Sequence, residues 1–288
     1  MAIKLGEQIL ELIIRTSTDL PPDIESALAR SLAAETPLSP AANALEAILE
    51  NVKKARERKV PICQDTGTPN FKVYHGRDHS QAELNKILID CTVTATELSY
   101  LRPNAVDTIT GVNSGNNTGK GFPSITFEET DGNLLVIKLM LKGGGSENVS
   151  FQQKLPYKKA GRDLNGIRYA VLEGLQGAQG QGCAPGIIGI CAGGDRASSY
   201  SEAKAQLFRK LDDINTDSAL ASLEKELLND INSLGIGPMG FGGATTALGV
   251  KISSLARVPA SYFVSCAYMC WACRRRVLTI SKGGAEID

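Results

Sequence analysis

Residues 266–273 read CAYMCWAC, a Cys-x3-Cys-x2-Cys spacing, and three arginines follow at once. Three thiolates so spaced are one way to hold a cubic iron–sulfur cluster, since thiolate is the usual protein ligand of such clusters. Four more cysteines stand at positions 63, 91, 183 and 191, which makes an odd set of seven. An odd set in a chain without an export signal argues against a disulfide framework and leaves buried thiols or metal ligands. Cys often packs as a small apolar residue, so roughly half of the seven are expected to do no chemistry. In an uninterrupted strand Cys266 and Cys270 would share one face and Cys273 the other. No glycine or proline supplies the loop that a local three-thiolate site would need.

Other stretches carry chemistry of their own. In CQDTGT at 63–68 a thiol, an amide and a carboxylate are adjacent. Asp65 could contact a substrate hydroxyl, although Asp in a turn equally serves as a backbone cap. In KGGGSEN at 142–148 three glycines allow backbone N–H groups to approach an anion. Two further patterns are set aside. GIGPMG at 235–240 has the glycines of a dinucleotide fingerprint but follows a helical pattern and contains Pro238. GNNTGK at 115–120 has too few residues between its glycines for a phosphate-binding loop, and Gly121 stands where Ser or Thr should be.

These residues need a scaffold, and the sequence outlines one. Leu5, Ile9, Leu10, Ile13 and Ile14 recur at helical spacing. Prolines at 21–22 and at 40 suit the first turns of two more helices, so residues 1–58 are expected to be helical. Ser80-x-x-Glu83 marks a capping box that opens a helix toward Tyr100. SITFEETDGNLLVIKLML reads as a hairpin turning at Asp131-Gly132. GCAPGIIGICAGGDRA reads as a turn, a buried strand and a helix entry. Leu220, Leu223, Leu227, Ile231 and Leu234 lie on one helix, with Gly235 just past its end. GATTALGVKISSLARV and ASYFVSCAYMC read as closing strands. The expected architecture is mixed α/β: a helical N-terminal region, 1–58, packed on a mixed β-sheet core, with 1–288 as a single compact unit.

Composition narrows the function classes. The chain has 288 residues, 42% of them hydrophobic, which is enough for a sizeable core. Acidic and basic residues balance at 31 each. No basic excess points to nucleic acid and no acidic tail is present. The first twenty residues are broken by Glu7, Glu11 and Arg15, unlike a signal peptide. No apolar run reaches the roughly 18–20 residues of a membrane span. A cytoplasmic small-molecule enzyme or a modest oligomer fits this balance.

Four blocks, CQDTGT, KGGGSEN, CAPGIIGICAGG (183–194) and RVPASYFVSCAYMCWACRRR (257–276), together resemble the class I fumarases. The chain is most similar to the separate α-subunit of two-chain fumarate hydratases and L-tartrate dehydratases, and the likeness runs along nearly its whole length. The resemblance implies a [4Fe-4S] cluster held by Cys63, Cys183 and Cys270, with one iron open to substrate. Cys91, Cys191, Cys266 and Cys273 are then packing or supporting residues. It further implies a hydro-lyase that hydrates fumarate to malate, a step of the tricarboxylic acid cycle, or dehydrates a related hydroxy-diacid such as tartrate. Implied substrate contacts are Gln64, Asp65 (also the catalytic candidate), Arg102 and Gly145, with Asn148 and Lys154 in the adjoining segment.

The resemblance also implies a partner and shows a departure. In the family, several substrate arginines and the proposed base belong to a β-subunit or a C-terminal half. That half is expected from a separate chain, in a higher oligomer of αβ pairs; alone, this chain should hold a cluster and catalyse little. Where family members carry His after the arginine of the Arg-His block, this sequence has Val258, which can neither donate a hydrogen bond nor carry a proton. A non-catalytic, cluster-bearing member is therefore one alternative. The other is a local site on residues 266–273; radical S-adenosylmethionine enzymes share that spacing, but a barrel normally follows it, and 15 residues follow Cys273 here.

Overall fold

The computed structural model describes residues 2–281 and 283–288. The expected N-terminal helices are present as α1 (Ala2–Thr18), α2 (Pro22–Ala34) and α3 (Pro40–Arg58). They are followed by β1 (Thr68–His75), α4 (Gln81–Glu97), β2 (Ser124–Glu129), β3 (Leu135–Lys142), α5 (Gly144–Asn148) and β4 (Phe151–Lys154). Then come α6 (Leu164–Ala178), β5 (Gly186–Gly193), α7 (Arg196–Gln206), α8 (Ser218–Ser233) and β6 (Ala247–Leu255). The chain closes with β7 (Phe263–Met269), β8 (Arg274–Ser281) and β9 (Gly284–Ile287). The mixed α/β class read from the sequence is the one observed. The Cα trace divides into two compact units, one of Met1–Pro21, Asn51–Gly144 and Ala272–Asp288, the other of Pro22–Glu50 and Gly145–Trp271. Among the described residues no helix is long and apolar enough to cross a membrane.

In the first unit five strands lie in the order β2-β1-β3-β8-β9, with β1 and β2 parallel and the remaining pairs antiparallel. Apolar side chains alternate along β1, where Phe71 and Val73 are buried. They join Ile9, Leu12 and Ile13 of α1 and Leu84 and Leu88 of α4 in one core. The Ser80 hydroxyl caps α4 by accepting the Glu83 N–H. One expectation fails here. β2 and β3 do not form a hairpin: β1 lies between them and hydrogen-bonds to both. The turn after β2 does contain Gly132 at φ +94°, but the strands it links are next-nearest neighbours.

The second unit holds four strands in the order β4-β7-β5-β6. β5 is central and buried along all eight residues, as its unbroken apolar run requires. Its Gly189 allows α7 to lie close, since a Cβ there would stand 2.3 Å from the Ala203 carbonyl oxygen. Leu223, Leu227 and Ile231 of α8 pack with Val250 and Ile252 of β6 in the unit's core. Gly235, at φ +65°, ends α8 as the sequence predicts. GIGPMG falls in the loop beyond, with only a 3-10 turn at Pro238–Gly240, so the context of a dinucleotide fingerprint is missing.

The segment CAYMCWAC also departs from expectation. β7 stops at Met269 and β8 begins at Arg274, so residues 270–273 are a loop made without glycine or proline. The three arginines that follow belong to the next strand. They open β8 and are buried at 1%, 6% and 4% exposure.

Candidate metal centre

Residues 63–67 form the turn that enters β1, and Asp65 organises it. Its Oδ1 accepts the Gly67 N–H at 3.0 Å and its Oδ2 accepts the Gly144 N–H at 2.8 Å. The turn thereby lies against the end of β3. A Cβ on Gly67 would stand 2.5 Å from the Lys142 carbonyl carbon, and one on Gly143 would stand 2.8 Å from Asp65 Oδ2. Both carboxylate oxygens hold backbone donors, so the cap is the role these bonds describe. Thr66 is fully buried, and its Oγ1 accepts the Arg102 N–H at 3.0 Å and Asn104 Nδ2 at 3.2 Å. Asn104 N–H in turn donates to the buried Asn117 at 3.1 Å. Arg102 and Gln64 are themselves exposed. The first unit thus brings together Cys63, Gln64, Asp65, the backbone of Arg102, Gly143 and Gly144.

In the second unit Cys183 follows a 3-10 turn, Gln179–Gly182, and adopts the left-handed conformation at φ 57°, ψ 63°. This is uncommon for a residue with a Cβ and is found most often at turns and functional sites. Cys270 sits just past β7, and the Trp271 N–H donates to the Cys183 carbonyl at 3.2 Å, tying the two cysteine loops together. Tyr268 underlies them. A Cβ on Gly182 or Gly186 would stand 2.4 Å from its ring, so both glycines are required by the close approach. The Tyr268 hydroxyl is buried without a hydrogen-bond partner. Burial, then the charges of Cys270 and Cys183, push its pKa far above the usual phenol range. Gly145 lies by the same turn, its Cβ position 4.0 Å from the Gln181 carbonyl oxygen. The exposed side chains of Asn148 and Lys154 make no hydrogen bond among the described residues. Val258 is 63% exposed on a loop whose carbonyls, at Pro259 and Ala260, accept from Arg162 at 2.9 and 3.0 Å.

None of the seven cysteines is joined in a disulfide, and exposure sorts them into two groups. Cys63, Cys183 and Cys270 are half-buried; Cys91, Cys191, Cys266 and Cys273 are buried. The three half-buried cysteines stand outside the strands and helices. The four buried ones lie in or beside the sheets and helices. Among the described residues no three His, Cys, Asp or Glu side chains are grouped to hold a single metal ion. Thiolate is the usual protein ligand of iron–sulfur clusters, so the donor chemistry of cysteines such as these suits that group.

A labelling experiment reads the same partition. Only thiolate reacts, so burial protects a thiol twice, by access and by raised pKa. Burial lifts Cys91 and Cys191 to about 11. Iodoacetamide at pH 8 is expected to modify Cys63, Cys183 and Cys270 of the metal-free protein within minutes, while Cys91 and Cys191 stay unlabelled until denaturant is added. Peptide mass spectrometry would show it.

Three residues in or beside these loops were not singled out from sequence. Thr66 and Arg274 stand inside the quoted blocks CQDTGT and CWACRRR, so proximity to the cysteines was the available signal. Tyr268 reads as one more aromatic residue in an apolar strand, and only packing distinguishes it. Arg274 is 1% exposed, and its Nη2 donates to the Asp65 carbonyl at 2.8 Å.

Comparison with known proteins identifies the family. The family described as fumarate hydratase (Fumerase) matches residues 6–279. A Geobacillus stearothermophilus protein, named for class I fumarate hydratase, is 45% identical over 99% of this chain, and the chain spans 56% of that protein's length. A Methanocaldococcus jannaschii protein, named for the α-subunit of L(+)-tartrate dehydratase, is 38% identical, with 96% of this chain and 98% of the relative covered. The L(+)-tartrate dehydratase subunit alpha of Escherichia coli is 31% identical over 96% of this chain and 91% of its own. With the family matched along nearly its full length, the chain belongs to the class I fumarate hydratase and L(+)-tartrate dehydratase α-subunit family.

Proposed function

We propose that this chain is the α-subunit of a [4Fe-4S]-dependent hydro-lyase that interconverts fumarate and malate, or dehydrates a related hydroxy-diacid such as tartrate. The observation that carries the proposal is the sorting of seven cysteines by exposure, which leaves Cys63, Cys183 and Cys270 reachable on turns. These three would hold the cluster. When bound, a cluster with one open iron supplies a Lewis acid at the substrate hydroxyl.

The chain's own side chains then bind and orient. Arg102 offers an exposed guanidinium whose paired donors match a carboxylate. Gly145 offers a backbone N–H unobstructed by a side chain. Gln64, beside Cys63, offers an amide that can both donate and accept. Each Asp65 oxygen retains lone-pair capacity beyond its backbone bond, enough to accept a substrate hydroxyl proton in a hydrogen bond. Asn148 and Lys154 extend the polar lining. A β-subunit would complete the site, and the balanced charge is compatible with a heteromer in the cytoplasm.

One observation favours a second reading. Val258 stands on an exposed loop where the family block carries His, which would make this a cluster-bearing but non-catalytic member. Anaerobic reconstitution of the chain with iron, sulfide and a β-subunit separates the two. Turnover of fumarate, malate or tartrate supports the hydro-lyase. Full iron content with no turnover of any of them supports the second reading, and no iron uptake defeats both.

A further inference from the structure

Arg274 has a charge problem that nothing else in the first unit solves. It begins β8, opposite Leu141 of β3, and is 1% exposed. Its Nη2 donates to the Asp65 carbonyl at 2.8 Å, while Nε and Nη1 are buried with no hydrogen-bond partner. Arg276, two residues on and also buried, shows the usual remedy: its Nη2 meets Asp19 Oδ2 at 2.9 Å. Among the described residues Arg274 forms no such ion pair. An arginine cannot shed its proton to escape, and a buried charge without a counter-charge is strongly unfavourable. A missing anion is the physical solution.

The position of Arg274 says which anion. Its one side-chain bond is to the backbone of the turn that carries Cys63, two residues before Asp65. It approaches that turn from the interior, whereas a diacid substrate arrives from solvent. We propose that Arg274 is a positioning residue, a buried counter-cation for the thiolate-ligated, net-anionic cluster bound through Cys63. This rests on the reading under Proposed function that a cluster binds there. Two consequences follow. Charge compensation should hold the cluster in place, and a positive charge near it should favour the reduced, more negative state, because net charge and hydrogen bonding set such potentials.

The test compares wild type with Arg274→Met and Arg274→Lys as full-length chains, each metal-free and reconstituted anaerobically with iron and sulfide. Metal-free Arg274→Met should be at least as resistant to urea as metal-free wild type, because it no longer buries a lone charge. Reconstituted Arg274→Met should lose iron to a chelator about 10-fold faster, a typical cost of removing a supporting residue. Its midpoint potential, read by electron paramagnetic resonance titration, should be more negative than that of wild type. Arg274→Lys should recover most of both. The proposal is overturned if metal-free Arg274→Met is less stable than wild type or fails to fold, which would make Arg274 structural and hydrated by water alone. It is equally overturned if iron retention and potential are unchanged and only dicarboxylate binding weakens, which would make substrate the anion. Failure of wild type itself to take up iron strikes instead at the cluster reading.

Discussion

Serine at Cys63, Cys183 or Cys270 is expected to leave the chain folded and unable to retain iron and sulfide after reconstitution. Each substitution replaces a soft thiolate with a hydroxyl that does not ionise near neutral pH. The residues lie on turns and are only half-buried, so the fold should tolerate the change, with far-ultraviolet circular dichroism and elution volume preserved. In the reconstituted complex the missing Lewis acid removes several kcal/mol of charge stabilisation, a rate loss on the order of 1000-fold. Cys91→Ser and Cys266→Ala are the controls. Cys91 donates its thiol proton to the Gly6 carbonyl at 3.3 Å, a bond that Ser can reproduce. Cys266 is fully buried in the second core, where Ala leaves only a small cavity. Both should keep full iron content. The opposite outcome, with iron lost in the Cys266 variant and kept in the Cys63 and Cys183 variants, would assign the site to the local 266–273 motif.

Gly67→Ala should be a strongly damaging single-methyl change in the first unit. Two effects combine. Gly67 has φ +77°, where a Cβ costs about 1–2 kcal/mol. The new carbon would also stand 2.5 Å from the Lys142 carbonyl carbon, 2.6 Å from its oxygen and 2.8 Å from the Gly143 nitrogen. All three are backbone atoms of a strand end, so they cannot swing aside, and overpacking of this kind adds roughly 1–3 kcal/mol. Urea unfolding should show a combined loss of about 2–5 kcal/mol. Gly115→Ala isolates the first effect, because Gly115 has φ +76° but nothing within 4 Å of its Cβ position. It should lose about 1–2 kcal/mol. Equal losses in the two variants would show that the 63–67 turn does not press on β3 as described. Where the turn is pushed away, Asp65 should also lose its Gly144 contact, so residual folded Gly67→Ala should take up iron poorly.

Both predictions concern one short turn, and the turn shows where local reading succeeds and stops. Helices α1 to α4 and α8 were legible because helical periodicity, prolines in first turns, Ser80 and Gly235 all act within a few residues. β5 was legible for the same reason, as an unbroken apolar run bounded by glycines. The roles expected of Cys63, Cys183 and Cys270 came from family blocks, not from spacing.

What the residues alone determined is therefore local: helix and strand character, the caps, a charge balance that favours a small-molecule enzyme, and a set of thiols too odd for a disulfide framework. Tertiary structure decided the rest. It inserted β1 between β2 and β3, because strand pairing is settled by which apolar faces meet and not by nearness in sequence. It turned Asp65 into a clamp on Gly144, 79 residues away. It buried three consecutive arginines, supplying Asp19 to Arg276 across 257 residues and a carbonyl to Arg274. It also separated three reachable cysteines from four buried ones, since exposure depends on what the distant chain covers.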